Sequence, residues 1–107
     1  MSKEAILQEY VEACESAGID PHPNFIAYLQ ETMDDEESID LVVHGNQKEN
    51  FNNRIEDKDL IVISDVLEPY AIYVEDIDLR YNHISDAGAE ALSRLVMRAS
   101  RLLGLNL

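Results

Sequence analysis

Apolar side chains recur along this chain with two different periods, and the changes between them mark out its elements. From Ser2 to Ala17 the steps are three and four residues: Ala5, Ile6, Tyr10 (or Leu7), Ala13 and Cys14. That spacing lines one face of a helix. Ser2 is placed to cap its start, and Gly18 suits the left-handed turn that ends it, with Ile19 packing back. Asp20-Pro21-His22-Pro23 is a break. Pro23 fits the first turn of a second helix, where a missing N–H costs nothing. That helix is predicted to run to about Met33 and to bury Phe25, Ile26 (or Tyr28) and Leu29. Two short helices joined by a tight turn make a helical hairpin. Residues 1–37 are read as that unit, ending in the carboxylates Asp34-Asp35-Glu36-Glu37. These repel one another and predict a loop. They lack the alternating oxygens, central Gly and distant Glu of a Ca²⁺-binding loop.

Beyond them the pattern alternates strand and helix. Ile39-Asp40-Leu41-Val42-Val43 has a strand's composition, and the Asn-rich stretch from Gly45 to Asn53 predicts a loop. Asp57 is placed to cap a helix over Lys58–Glu68 that buries Leu60, Ile63 and Leu67 and stops at Pro69. Ile72–Leu79 is strand-like. Asp86 is placed to cap a helix from Ala87 to about Ala99 that buries Ala91, Leu92, Leu95 and Val96. Leu102–Leu107 begins a third strand-like stretch. Strands alternating with helices predict a right-handed, parallel α/β arrangement.

A fixed period sharpens this reading. Val74, Ile77 and Leu79 follow the spacing L-x-x-L-x-L. Leu102, Leu105 and Leu107 follow it again, each 28 residues further on. Asn82 and Ile84 extend the first copy to L-x-x-L-x-L-x-x-N-x-I, and Ser85-Asp86-Ala87-Gly88-Ala89-Glu90-Ala91-Leu92 follows. The stretch resembles the ribonuclease-inhibitor-like class of leucine-rich repeats, and the period lies in the range of such repeats. The resemblance implies a solenoid of short parallel strands with helices behind, and a turn held by the Asn. Gly88 and Ala89 are small, which predicts close packing of the helix behind the strand. A degenerate earlier copy aligns Leu41, Val43 and Asn46 with Ile77, Leu79 and Asn82. It leaves Ser38 where the first L should fall. Asn46 and Ile55 are 9 positions apart against 2 for Asn82 and Ile84, which predicts a 7-residue protruding loop, Gln47–Asn53. The domains are then a helical cap (1–37), a degenerate first repeat (38–70), a full repeat (71–99) and a truncated one (100–107). Because the last copy stops at Leu107, the chain is expected to be a fragment, or to have its C-terminal edge strand covered by a partner or by self-association.

Strand alternation turns the x positions outward. Asp40, Val42 and His44, then Asp76, Asp78 and Arg80 with Tyr81 at the edge, then Gly104 and Asn106 are expected to share one concave, largely acidic face. The family resemblance implies that such a face binds a protein, and Arg and Tyr are frequent interface anchors. The other readings are a solvated sheet face on a purely structural cap, with binding elsewhere in a longer scaffold, and a divalent-metal enzyme using His44, Asp40 and Asp78. Of the three histidines, His22, His44 and His83, none stands at metal-ligand spacing from another. No phosphate loop or nucleophile elbow is present, so no cofactor and no enzymatic activity are expected.

Composition narrows the partner. With 22 acidic and 8 basic side chains the net charge is −14. Such a surface repels nucleic acid and anionic membranes and draws basic protein surfaces toward it, although solubility alone also accounts for the charge. Cys14, the only cysteine, lies near Glu12 and Glu15, which raise a thiol pKa. It is read as a structural thiol. Without a secretory or membrane segment or an Asn-x-Ser/Thr site, a cytoplasmic or other reducing location is expected.

Overall fold

The computed structural model describes residues 2–32, 38–45 and 54–107. The acidic run Asp34–Glu37 and the loop expected over Gln47–Asn53 lie outside them.

Helix α1 spans Lys3–Ala17. The Ser2 hydroxyl accepts from the Ala5 N–H, and Gly18 closes the helix at φ +74° while the Ile19 N–H donates back to the Cys14 carbonyl (3.0 Å). Ile6, Tyr10 and Cys14 are buried and Ala5 is exposed, so the apolar face is narrower than its spacing suggested. Burial, with a smaller push from Asp59, raises the Cys14 thiol pKa; neither Glu12 nor Glu15 is the cause. A structural thiol fits that setting.

The second helix reaches Thr32, near its expected end, but not as one uniform α-helix. Helix α2 covers Pro23–Ala27 and continues as a π-helical turn over Tyr28–Thr32. Its N-cap is His22, whose Nδ1 accepts from the Asn24 N–H (3.1 Å). Phe25, Tyr28 and Leu29 are buried, Ile26 only partly. Phe25 meets Tyr10 edge to face, ring centroids 4.7 Å apart. The buried Tyr10 hydroxyl accepts from the His22 N–H (2.8 Å) and so ties the two arms together.

Three parallel strands follow in the order β1 (Ile39–Val42), β2 (Val74–Asp78), β3 (Gly104–Asn106). Leu41 pairs with Ile77, and Ile77 with Leu105. The residues 28 positions apart therefore occupy equivalent places on neighbouring strands. A bulge between Ile39 and Asp40 pairs Ile39 with Val74, so Ile39, not Ser38, fills the first apolar position and is fully buried. An extra residue of this kind shifts alignment without exposing the core.

The sheet's inner side packs into one core with helices α3 (Asp57–Leu67) and α4 (Asp86–Arg98). Ile39, Leu41, Val74, Ile77 and Leu79 come from the sheet, and Leu60, Ile63, Leu67, Leu92 and Leu95 from the helices. Val96 is only partly buried. Pro69 lies in a 3-10 segment, Glu68–Tyr73, which delays β2 to Val74. Around β3, Leu105 and Leu107 are 45% and 55% exposed, and of the three positions in the repeat pattern Leu102 alone packs against the core.

Both expected helix caps move by one residue. Glu56 is the N-cap of α3, its N–H donating to the Asp59 carboxylate (3.0 Å). Ser85 is the N-cap of α4. Asp57 instead reaches across to the neighbouring helix. Its carboxylate accepts from the Ser85 N–H (2.8 Å), the Ser85 hydroxyl and the Gly88 N–H. These bonds hold its pKa below the usual carboxylate value. Gly88 is small for this contact rather than for packing behind the strand. A Cβ there would lie 2.4 Å from the Asp57 Oδ1.

Candidate sheet-face binding site

The strand register brings the outward positions into rows. Asp40, Asp76 and Gly104 form one row, and Val42, Asp78 and Asn106 the next. His44 and Arg80 continue the file beyond β1 and β2, where the Gly45 N–H donates to the Arg80 carbonyl. Tyr81 follows at the edge.

These residues are not equally available. Asp40, Val42, Arg80, Tyr81 and Asn106 are exposed, whereas Asp78 is nearly buried. The Arg80 guanidinium grips the Asp78 carboxylate with two hydrogen bonds of 3.0 Å, and His44 Nε2 lies 2.8 Å from Asp78 Oδ2. Asp78 and Arg80 are two apart on a strand and therefore share a face, a signal already present in their spacing. The Arg80 fork first, then His44, hold the Asp78 pKa down to about 2.

That depression carries a pH dependence. An unfolded Asp titrates near 3.9, so the folded group binds its proton less readily than the unfolded one. Its stabilisation is complete above about pH 4 and drains away as the pH falls toward 2. Urea unfolding of the protein and of Asp78→Asn between pH 6 and pH 2.5 checks this. The stability gap between them should narrow below pH 4, and a constant gap would remove the carboxylate from the account.

The opposite end of the face is unbalanced. Burial, then the neighbouring Asp76 and Glu75 carboxylates, raise the Asp40 pKa. Glu75, which the sequence reading passed over, takes the Arg101 guanidinium. Gly104 leaves room for the Asp76 carboxylate, since a Cβ would stand 2.7 Å from its Oδ1. The face thus runs from a neutralised end at His44–Asp78–Arg80 to an acidic end at Asp40–Asp76.

His44, Asp40 and Asp78 do not assemble as a trio of open ligands. A cation at Asp78 would have to displace a guanidinium of its own charge. Among the described residues no three His, Cys, Asp or Glu side chains gather in a group able to hold a metal ion.

Two backbone features fix the edge of the face. Tyr81 adopts φ +67°, a left-handed conformation rare outside glycine and asparagine, with its side chain 56% exposed. Next to it, Asn82 Nδ2 donates to the Val43 (2.8 Å) and Leu79 (3.0 Å) carbonyls, and its Oδ1 accepts from the Ile55 N–H (2.8 Å). The His83 N–H donates to the Ile55 carbonyl (2.8 Å). One asparagine therefore ties the turn after β2 to Val43 and Ile55, two places 12 positions apart in the sequence.

Among the described residues no helix is long and apolar enough to cross a membrane. Neither curated proteins nor solved structures gave a significant match to the chain. A family model described as a Leucine Rich repeat matches residues 71–93, which run from the end of the 3-10 segment through β2 and the Asn82 turn into α4. Leucine-rich repeats usually serve as non-enzymatic protein-interaction modules, and this match supports a leucine-rich-repeat protein of that general kind.

Proposed function

We propose that the chain is a non-catalytic protein-binding module. In this reading it is a short solenoid of the ribonuclease-inhibitor-like class, capped by the helical hairpin of residues 1–37, acting in a reducing compartment such as the cytoplasm. The sheet face is its binding surface, and the partner is a protein with basic side chains. The observation that carries this reading is the in-register stacking of Asp40 on Asp76 and of Val42 on Asp78 and Asn106. It turns separate sequence positions into one outward strip. The charge gradient along the strip gives it an orientation. Basic groups of a partner are drawn to the Asp40–Asp76 end, and Tyr81 offers an aromatic contact at the other.

Tyr81 provides the test. A left-handed non-glycine residue costs on the order of 1 kcal/mol or more. Tyr81→Gly is therefore expected to raise the stability of the isolated protein by about that amount and to weaken partner binding. A photo-crosslinking residue at position 76 or 106 should label the partner, while one at Ile61, exposed on α3, should not. Equal labelling from both places, or undiminished binding by the Tyr81→Gly protein, would move the partner off this face.

A further inference from the structure

Among the described outward residues of the sheet face Arg80 alone carries a permanent positive charge, and its guanidinium is held from one edge. Asp78 accepts from Arg80 Nε at Oδ1 and from Nη2 at Oδ2, each at 3.0 Å, and His44 Nε2 stands 2.8 Å from the same Oδ2. Both carboxylate oxygens are thus engaged, and Asp78 acts as a brace. A guanidinium has five N–H groups, of which this fork uses two. The opposite edge, formed by Nη1 and the second N–H of Nη2, makes no bond among the described residues. The Arg80 side chain is 48% exposed, and Tyr81 lies within electrostatic reach of its charge. At the other end of the face, Asp40 and Asp76 make no ion pair among the described residues.

We propose that the sheet face takes a partner segment bearing both charges, a carboxylate on the open edge of Arg80 and a Lys or Arg side chain at Asp40 and Asp76. The inference rests on the sheet face being the binding surface and specifies what that surface selects. Charge complementarity chooses the occupant. The two parallel N–H groups of a guanidinium edge match the two oxygens of a carboxylate. A guanidinium already fixed by Asp78 has less freedom to lose on binding than a loose one. With a net charge of −14 the protein repels carboxylates in general, so an acidic group is accepted where a donor edge stands ready and rejected elsewhere. A purely basic segment would set a second cation against Arg80. Spacing adds a requirement. Asp76 precedes Arg80 by four positions, about 13 Å along an extended strand. Residues four apart in an extended partner segment span the same distance and share one face.

The probe is a phage-displayed library of random linear peptides, selected on the whole chain. Binders should combine a Lys or Arg with an Asp or Glu, most often four positions apart. For a synthetic binder, replacing its acidic residue by the amide should raise Kd about tenfold, and Arg80→Gln in the protein should do the same. The two changes together should cost little more than either alone, because they remove one contact. Arg80→Lys keeps the charge without the planar edge and should restore less than half of the loss on a logarithmic scale. The change on the peptide leaves the protein untouched, so a folding defect cannot imitate it. Peptides with basic residues only, weakened by Asp76→Asn but not by Arg80→Gln, would overturn the carboxylate contact and leave the sheet-face reading standing. Binders indifferent to both substitutions, or a library that yields none, would remove the sheet face as well.

Discussion

Replacing Asn82 by alanine is expected to cost about 3 kcal/mol, which at this size lowers Tm by roughly 10–20 °C. The side chain makes three backbone hydrogen bonds of 2.8–3.0 Å, as donor to Val43 and Leu79 and as acceptor from Ile55. Each is worth about 1 kcal/mol net, and more where a backbone group is left without a partner away from water. The Ile55 residue is fully buried and Val43 almost so. Asn82→Asp should fare little better, because a carboxylate oxygen would face two carbonyls where an amide now donates. The control is Asn106→Ala. Asn106 is exposed on the sheet face, and its bond from the Leu79 N–H uses its main-chain carbonyl, which alanine keeps. That change should stay within about 0.5 kcal/mol. Chemical denaturation of the three variants decides the matter, and equal losses at 82 and 106 would contradict the junction described above.

The pairing of Leu41, Ile77 and Leu105 was legible because a buried face punishes a slip of one residue by exposing every apolar side chain. The outward rows came with it at no further cost. The caps were not legible. Asp57 and Asp86 have the right chemistry for the helices they begin, but a carboxylate one position into a helix points along the outside of the turn. At Asp57 the nearest free N–H groups belong to the adjacent helix. No local motif records that, since the partner lies 28 residues away. Ile39 was missed for a related reason. A bulge adds one residue to one strand only, so a rigid alignment places Ser38 where the folded chain has Ile39. The Asp78–Arg80 fork was within reach, because residues two apart on a strand share a face. Its consequence, that Asp78 is spent within the protein, required His44 to be seen beside them.

Gly45→Ala is expected to lose roughly 3 kcal/mol, although it adds a single methyl group. A Cβ on Gly45 would stand 1.9 Å from the Tyr81 carbonyl oxygen and 2.6 Å from its carbon. Both are backbone atoms, so no side-chain rotation relieves the clash. Nor is Gly45 free to withdraw. Its N–H is held by the Arg80 carbonyl (3.0 Å), and its carbonyl accepts from Arg54 Nε (3.2 Å). The two segments must move apart, and that separation pulls the Val43 carbonyl away from Asn82. The glycine and the asparagine thus secure the same crossing, one by permitting the approach and the other by bonding across it. A double-mutant cycle follows from this. Once Asn82→Ala has released the crossing, Gly45→Ala should cost at least about 1 kcal/mol less than it does alone, since coupled neighbours depart from additivity by that order. Strict additivity of the two losses in urea unfolding would mean that the positions act separately, and the close packing of the turn after β2 against Gly45 would no longer explain why a glycine stands there.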